Sequence, residues 1–241
     1  MRYAVISDIH SNLTALDAVL EAARPFDVLL CLGDVVGYGP DPNECVARLH
    51  SYPLTCIAGN HDLAAIGQLD LSRFNPDERQ ANYWTRDELS RESRDFLSDL
   101  PNTIKLGSFL LAHGSPVNPV WEYLDSLYLA KDNFMRFDFQ TAFVGHTHIA
   151  LAIEWDSKQK EASFLQANAS ALSLAKDRLI LNPGSVGQPR DDDPRASYAI
   201  MDTEKMSWEF RRTPYNIERT QKRMRNCGLP KRLIERLQYG W

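Results

Sequence analysis

Short apolar runs that end abruptly in a glycine, amide, carboxylate or imidazole recur along this chain. Tyr3 to Ser7 leads into Asp8, Val28 to Leu32 into Gly33-Asp34, and Leu54 to Ala58 into Gly59-Asn60-His61. Phe109 to Ala112 leads into His113, Ala142 to Val144 into Gly145-His146, and Leu179 to Leu181 into Asn182-Pro183-Gly184-Ser185. Runs this uniformly apolar predict strands covered on both faces, not the alternating strands of a half-solvated sheet. Between the first of them, Leu13, Leu16, Val19 and Leu20 recur at helical spacing behind Ser11 or Asn12, either of which can cap. Pro42 to Leu49 makes a second helical segment, opened by Asp41 or Pro42. The alternation predicts an α/β layered fold whose loops collect beyond the C-terminal ends of the strands.

Further along, Leu151 to Trp155, Ala162 to Leu165, Tyr198 to Met201 and Ser207 to Phe210 have less helix between them, which predicts a second sheet packed on the first. Residues 62–100 read as a polar, helical insertion, with Phe74, Tyr83, Trp84 and Phe96 spaced to fill a local core. It follows directly on Gly59-Asn60-His61 and is expected to cover whatever those loops hold. The tail from Pro214 is basic and helical, broken at Gly228-Leu229-Pro230, and is expected to pack against the layers. No repeat or low-complexity linker interrupts the pattern, so residues 1–241 read as one domain.

Composition removes several alternatives. Of 241 residues, 44% are hydrophobic and 24% charged, an ordinary globular balance. No run approaches the roughly 20 apolar residues that span a bilayer, and Asp8 interrupts the stretch where a secretory signal would be apolar. A cytoplasmic protein is the expectation. The four cysteines, Cys31, Cys45, Cys56 and Cys227, lie far apart and read as structural thiols. A net charge of −5 argues against a stable nucleic-acid or membrane partner, although bound cations can reverse the field locally.

The histidines change the picture most. Of six, five stand at or just beyond predicted strand ends: His10, His61, His113, His146 and His148. Solvated histidines would scatter. Asp8-Ile9-His10 puts a carboxylate and an imidazole two residues apart, on one side of extended chain, and His146-Thr147-His148 repeats this with two imidazoles. Asp34, Asn60 and His113 add donors at three other strand ends. Alone, each element reads as a turn or a loop; together they form a mixed nitrogen and oxygen ligand set for two ions. Such a set suits manganese first, with iron, zinc, cobalt and nickel as alternatives.

Asp8-x-His10, Gly33-Asp34, Gly59-Asn60-His61-Asp62, His113 and Gly145-His146-Thr147-His148 resemble, in order, the motifs of the calcineurin-like metallophosphoesterase superfamily. The likeness extends through Asn182-Pro183-Gly184-Ser185-Val186-Gly187-Gln188-Pro189-Arg190, as in the small bacterial and archaeal branch. The resemblance implies a four-layer αββα sandwich of two mixed sheets flanked by helices. It implies that Asp8, His10, Asp34 and His148 hold one divalent ion and that Asp34, Asn60, His113 and His146 hold a second, with Asp34 between them. A shared carboxylate is what the electrostatics call for, since two divalent cations about 4 Å apart repel by roughly 16 kcal/mol at an effective dielectric of 20. It further implies hydrolysis by in-line attack of a metal-bridging hydroxide, with His61 as a catalytic residue that is not a ligand.

The chain departs from the protein-phosphatase branch at Gly33-Asp34-Val35-Val36-Gly37-Tyr38. Gly37 and Tyr38 stand where that branch has an aspartate and an arginine. The carboxylate that would orient His61 is therefore missing there, and Asp62 or a backbone carbonyl is left as its replacement. Arg190 is a candidate phosphate clamp or a surface arginine paired with Asp191 to Asp193. Asn12 could reach a substrate oxygen, although capping suits it better, and Tyr38 could stack on a base or pack its loop. The expected substrate is a nucleotide-type phosphodiester or dinucleoside polyphosphate, met by a monomer or small homo-oligomer. A general phosphomonoesterase or protein phosphatase is the alternative, and a non-catalytic scaffold would show a damaged ligand set.

Overall fold

In the computed structural model, which describes residues 1–166, 171–175 and 178–241, the apolar runs are strands buried on both faces. In β1 (Arg2–Ile6), Ala4 and Ile6 join a core shared with helices, while Val5 joins the core between the two sheets. A helix α1 (Leu13–Ala22) follows, then β2 (Val28–Cys31), α2 (Pro42–Leu49) and β3 (Leu54–Cys56). Asn12 is the cap of α1, its side chain accepting from the Ala15 amide at 3.2 Å. At α2, Asp41 holds the cap position without a capping side-chain bond, and Pro42 opens the helix.

The insertion contributes α3 (Asn60–Ala65), a 3₁₀ turn (Leu71–Arg73), α4 (Pro76–Glu88) and α5 (Arg91–Ser98). The chain then runs through β4 (Thr103–Leu106), β5 (Phe109–Ala112), α6 (Leu127–Arg136), β6 (Thr141–Phe143), β7 (Ala150–Asp156), β8 (Glu161–Leu165) and β9 (Leu172–Ser173). It continues through β10 (Arg178–Pro183), β11 (Ala196–Asp202), β12 (Ser207–Thr213), α7 (Ile217–Asn226), α8 (Lys231–Glu235) and a 3₁₀ turn (Arg236–Gln238).

Among the described residues these strands make two mixed sheets, ordered β3-β2-β1-β11-β12-β9 and β4-β5-β6-β10-β7-β8. Val5, Leu30, Leu32, Leu111, Phe143, Leu181 and Trp208 fill the space between them, with Trp208 stacked on Phe143 at 5.1 Å. Helices α1, α2 and α5 cover the outer face of the first sheet, and α6 packs outside the second through Ala130 and Phe134. This is the α/β sandwich of two sheets flanked by helices. No helix among the described residues is long and apolar enough to cross a membrane.

One feature of the topology positions the chemistry. Each sheet contains three strands running parallel: β1, β2 and β3 in one, and β5, β6 and β10 in the other. Their C-terminal ends are level, with Ile6 beside Cys31, Cys31 beside Cys56, and Phe143 beside both Leu111 and Leu181. The six loops that leave these ends carry the polar residues singled out above, as parallel α/β sheets tend to place them.

The basic tail packs against the layers. Helix α7 packs on α1, and Met224, Leu229, Leu233, Ile234 and Leu237 form a satellite core with Tyr38 and Ala81. Arg223 of α7 pairs with the buried Asp41. Burial pushes the Asp41 carboxyl up from 3.8 to about 6, with Arg223 opposing the rise. The folded pKa exceeds the unfolded one, so this group's contribution is full below about 4 and is lost as pH rises through about 6. Asp41→Asn removes that titration. Relative to wild type its stability should improve by roughly 2–3 kcal/mol between about pH 4 and pH 7. Urea unfolding across that range checks this, and parallel curves would contradict it.

Candidate metal centre

The loops at the level strand ends are built from conformations that most side chains avoid. Asp8, His10, Ser11, Asp34, Tyr38, His146 and His148 all have positive φ, from 49° to 65°. Non-glycine residues adopt such angles in only a few per cent of cases, and they cluster at functional sites where surrounding structure enforces them. Here the enforcement is visible. The amides of Asp8, His10 and Ser11 donate to the carbonyls of Gly33, Asp34 and Val35 at 3.0–3.1 Å, tying the first loop to the second. Val186 and Gly187 donate to Ser7 and Asp8, and the Ser185 hydroxyl donates to the Asp8 carbonyl at 2.8 Å. The Asn182 amide donates to Gly145 O and Thr147 Oγ1, fixing the loop between His146 and His148. The Asn182-Pro183-Gly184-Ser185 segment is thus a clamp on both histidine-bearing loops.

Two motif glycines are explained by close approach. A Cβ on Gly59 would collide with the Asp34 carboxylate, and one on Gly145 would collide with Ser7 and crowd Asp8 Oδ2. Each glycine lets a neighbouring loop lie against a buried carboxylate.

The donor atoms converge. Asp8, His10, Asp34 and His148 present one group within 4.8 Å of one another, and Asp34, His113 and His146 present a second, all buried. Asp34 belongs to both. Its Oδ1 accepts from the His61 amide at 2.8 Å, while Oδ2 lies 3.6 Å from His10 Nε2 and 3.3 Å from His113 Nε2. Asn60 Oδ1 stands 3.2 Å from His113 Nε2, placing the amide beside the second group. Three imidazoles spend Nδ1 on backbone carbonyls: His10 on Val36, His113 on Leu32 at 2.7 Å, and His148 on Gln188 at 2.6 Å. Such bonds fix the ring and leave Nε2 as the metal-facing nitrogen.

These residues fit divalent cations. Asp8 Oδ1, Asp34 Oδ2 and His146 Nε2 are buried without a hydrogen-bond partner. The Nε2 atoms of His10 and His148 face each other at 3.0 Å, although each ring already donates through Nδ1. Buried lone pairs pointed at one another need a cation between them. The charges of the cluster also lean on one another. Burial pushes Asp34 up, but His113 and His61 outweigh it and hold the carboxyl well below the usual range. Burial pushes His113 down, but Asp34 and Asp8 raise it to about 10.

Beside this cluster sits His61 in the first turn of α3, buried among Phe74, Tyr38 and His10 with ring centroids 4.4–5.1 Å away. Neither replacement foreseen for the missing orienting carboxylate takes that place. Asp62 instead accepts from the amides of Val36 and Gly59, both at 3.0 Å, and stabilises the loop. The partner of His61 is Asn82 of α4, fully buried, with Nδ2 at 3.1 Å and Oδ1 at 3.3 Å from Nδ1. An amide that offers both a donor and an acceptor serves a ring that is neutral or protonated. Tyr123 is a second residue that no local pattern announced: its ring lies over His146 at 3.9 Å.

The remaining candidates separate clearly. Asn12 is buried, donates to Gly187 O at 3.0 Å and accepts from Ala15 and Thr220, so its side chain is committed to the fold. Tyr38 packs its ring against His10 and His61 and donates to Glu78 at 2.8 Å. Arg190 does not pair with the acidic run after it. Asp191 pairs with Arg212, and Asp193 with Arg195 and Arg212. The Arg190 guanidinium instead bonds Tyr38 Oη at 3.3 Å and Gln188 Oε1 at 3.1 Å.

The chain matches the model of the calcineurin-like phosphoesterase superfamily domain over residues 1–206. It is 38% identical over 245 residues to an uncharacterised protein of Methanocaldococcus jannaschii, a match that covers 98% of this chain and 97% of that one. A crystal structure of a metallophosphoesterase from Sphaerobacter thermophilus is 44% identical, superposes with a TM-score of 0.91, and is covered to 99% by the whole of this chain. A hypothetical protein from Pyrococcus horikoshii shares the fold, with a TM-score of 0.79 at 21% identity over 100% of this chain and 98% of that one.

Proposed function

This chain belongs to the calcineurin-like phosphoesterase superfamily and is a phosphoric ester hydrolase, and from that premise we propose that it uses two metal ions to cleave nucleotide-type phosphodiesters or dinucleoside polyphosphates. The observation that carries the reading is the pair of buried donor groups sharing Asp34, with His61 beside them and outside both. We assign Asp8, His10, Asp34 and His148 to one ion and Asp34, Asn60, His113 and His146 to the other. When bound, two such ions lower the pKa of water and take up the negative charge that develops on phosphate oxygens. Manganese is the first choice for a set of imidazoles, carboxylates and one amide, and a cytoplasmic setting suits the buried free thiols Cys31, Cys45 and Cys56.

The protein's own groups supply the rest. His61 donates a proton from Nε2 to the departing oxygen, since Nδ1 is engaged with Asn82. Burial pushes His61 down from its ordinary value, with Asp34 and Glu78 opposing the fall. Arg190, held by Tyr38 and Gln188, receives the phosphate oxygens turned away from the ions. A scaffold role needs a broken donor set, whereas all seven donors and His61 are present here.

Asn82→Ala should lower kcat by on the order of tenfold while metal content stays constant, because the ring loses its one fixed partner. An unchanged kcat would remove Asn82 from the mechanism. The substrate class is tested by incubating manganese-loaded protein with diadenosine tetraphosphate and separating the products. ADP alone means symmetrical cleavage. No cleavage at confirmed metal occupancy removes that substrate and directs the search to simple diesters and monoesters.

A further inference from the structure

The end of the tail lies against the loop that carries Arg190. The Asp192 amide donates to the Gly240 carbonyl at 3.0 Å, and a Cβ on Gly240 would collide with the Asp193 backbone. Leu237 reaches the same small cavity as His10, Tyr38 and Gln188. Arg236 directly precedes Leu237 in the chain, and Arg232 lies one turn earlier in α8. None of Arg190, Arg232 and Arg236 pairs with a carboxylate side chain among the described residues, whereas Arg48, Arg195, Arg211, Arg212 and Arg223 all do.

Nearby acidic side chains are already engaged. Glu78 accepts from the Tyr38 hydroxyl and the Asn75 amide, and Glu235 pairs with Lys231 at 3.4 Å. Arg236 Nε bonds the main-chain oxygen of Trp241, which ties that residue to the guanidinium. The guanidiniums press on one another: burial, with Arg190 and Arg232 adding to it, brings Arg236 down to about 10. Glu78 acts on Arg236 and Glu235 stands beside it, yet among the described residues no carboxylate side chain is hydrogen-bonded to any of the three guanidiniums, which leaves donors for an anion.

Arg232 and Arg236 also line a cavity of about 310 Å³ whose other walls are Glu235, Tyr239 and Trp241. Tyr239 and Trp241 stack at 4.5 Å and 21°, yet remain 46% and 58% exposed. A flat, exposed aromatic platform beside arginines suits a base attached to a phosphate chain, because stacking is available to any base and guanidiniums pair with successive phosphates. We propose that Arg190, Arg236 and Arg232 form a phosphate track from the metal centre to a nucleobase platform made by Tyr239 and Trp241, so that the non-reacting half of the substrate is a nucleoside polyphosphate. This deepens the hydrolase reading and rests on it for the direction in which the phosphate chain runs.

The test is calorimetric titration of the full manganese-loaded chain with the β,γ-imido analogue of ATP and with inorganic tripolyphosphate. Arg232→Gln/Arg236→Gln should weaken both by about tenfold or more. Trp241→Ala, at an exposed position, should weaken the ATP analogue by about tenfold and leave tripolyphosphate unchanged. The single exposed change Arg232→Gln should weaken both in the same direction, which guards against misfolding of the double variant. Wild-type affinity for both ligands in the Arg232→Gln/Arg236→Gln protein overturns the track. A Trp241→Ala protein that binds the ATP analogue like wild type overturns the nucleobase platform. Failure to cleave any phosphoester at full metal occupancy overturns the hydrolase reading by itself, while the affinities still decide the subsite.

Discussion

His61→Ala is expected to lower kcat by about 10²- to 10⁴-fold, the usual worth of a positioned general acid, while the protein keeps its metal. The two effects separate because His61 acts through two different groups. Its main-chain amide donates to Asp34 Oδ1 at 2.8 Å, a bond that alanine preserves. Its side chain belongs to neither donor group; it is held by Asn82 and packed against Phe74, Tyr38 and His10. Truncation empties that pocket of its imidazole, and leaves both carboxylates and the four other histidines of the cluster in place. The measurement is metal analysis of the purified variant alongside kcat on a chromogenic diester. Lost metal with unchanged turnover per bound pair would sink the assignment and move His61 to the ligand set. A leaving group that needs no proton should also recover part of the lost rate, since the missing step no longer limits it.

Most of the donor cluster was legible because its spacing is local. Asp8 with His10, and His146 with His148, are spaced by two residues beyond strands that their apolar composition reveals. The glycines beside Asn60 and His146 mark backbone pressed against the Asp34 and Asp8 carboxylates. What sequence could not supply depends on where distant elements land. Asn82 lies 21 residues beyond His61 on a polar helix face, and nothing in its neighbours distinguishes it from a solvated amide. Tyr123 sits in a segment without periodicity and meets His146 only because the second sheet delivers it there. Asp62 is the adjacent candidate for orienting His61, yet adjacent residues on a helix turn away from each other. The same holds for Arg190: its acidic neighbours Asp191 and Asp193 pair with Arg212 and Arg195, and Tyr38 from the opposite loop takes their place.

Asp34→Asn is expected to have the broadest effect of any single change: loss of metal from the pair together with loss of activity to near background. Asp34 is the residue common to both donor groups, and its Oδ2 is buried, unpartnered, and near His10 and His113 at once. Two divalent cations about 4 Å apart repel by roughly 16 kcal/mol at an effective dielectric of 20. A carboxylate shared by two such ions would attract both, whereas an amide of the same shape would bring no charge and a single acceptor oxygen. Losing an outer partner of a metal ligand already lowers affinity about 10- to 100-fold, so losing a shared ligand should exceed the upper figure. The fold itself should persist, because the substituted side chain can still accept from the His61 amide through Oδ1, and Gly59 still leaves room for it. Metal content, circular dichroism and turnover of the variant decide the matter together. A folded Asp34→Asn protein that retains two ions per chain would show that the two sites are independent, and the bridge would have to be abandoned. A folded protein that retains one ion and no activity would show that the pair, and not either ion alone, performs the hydrolysis.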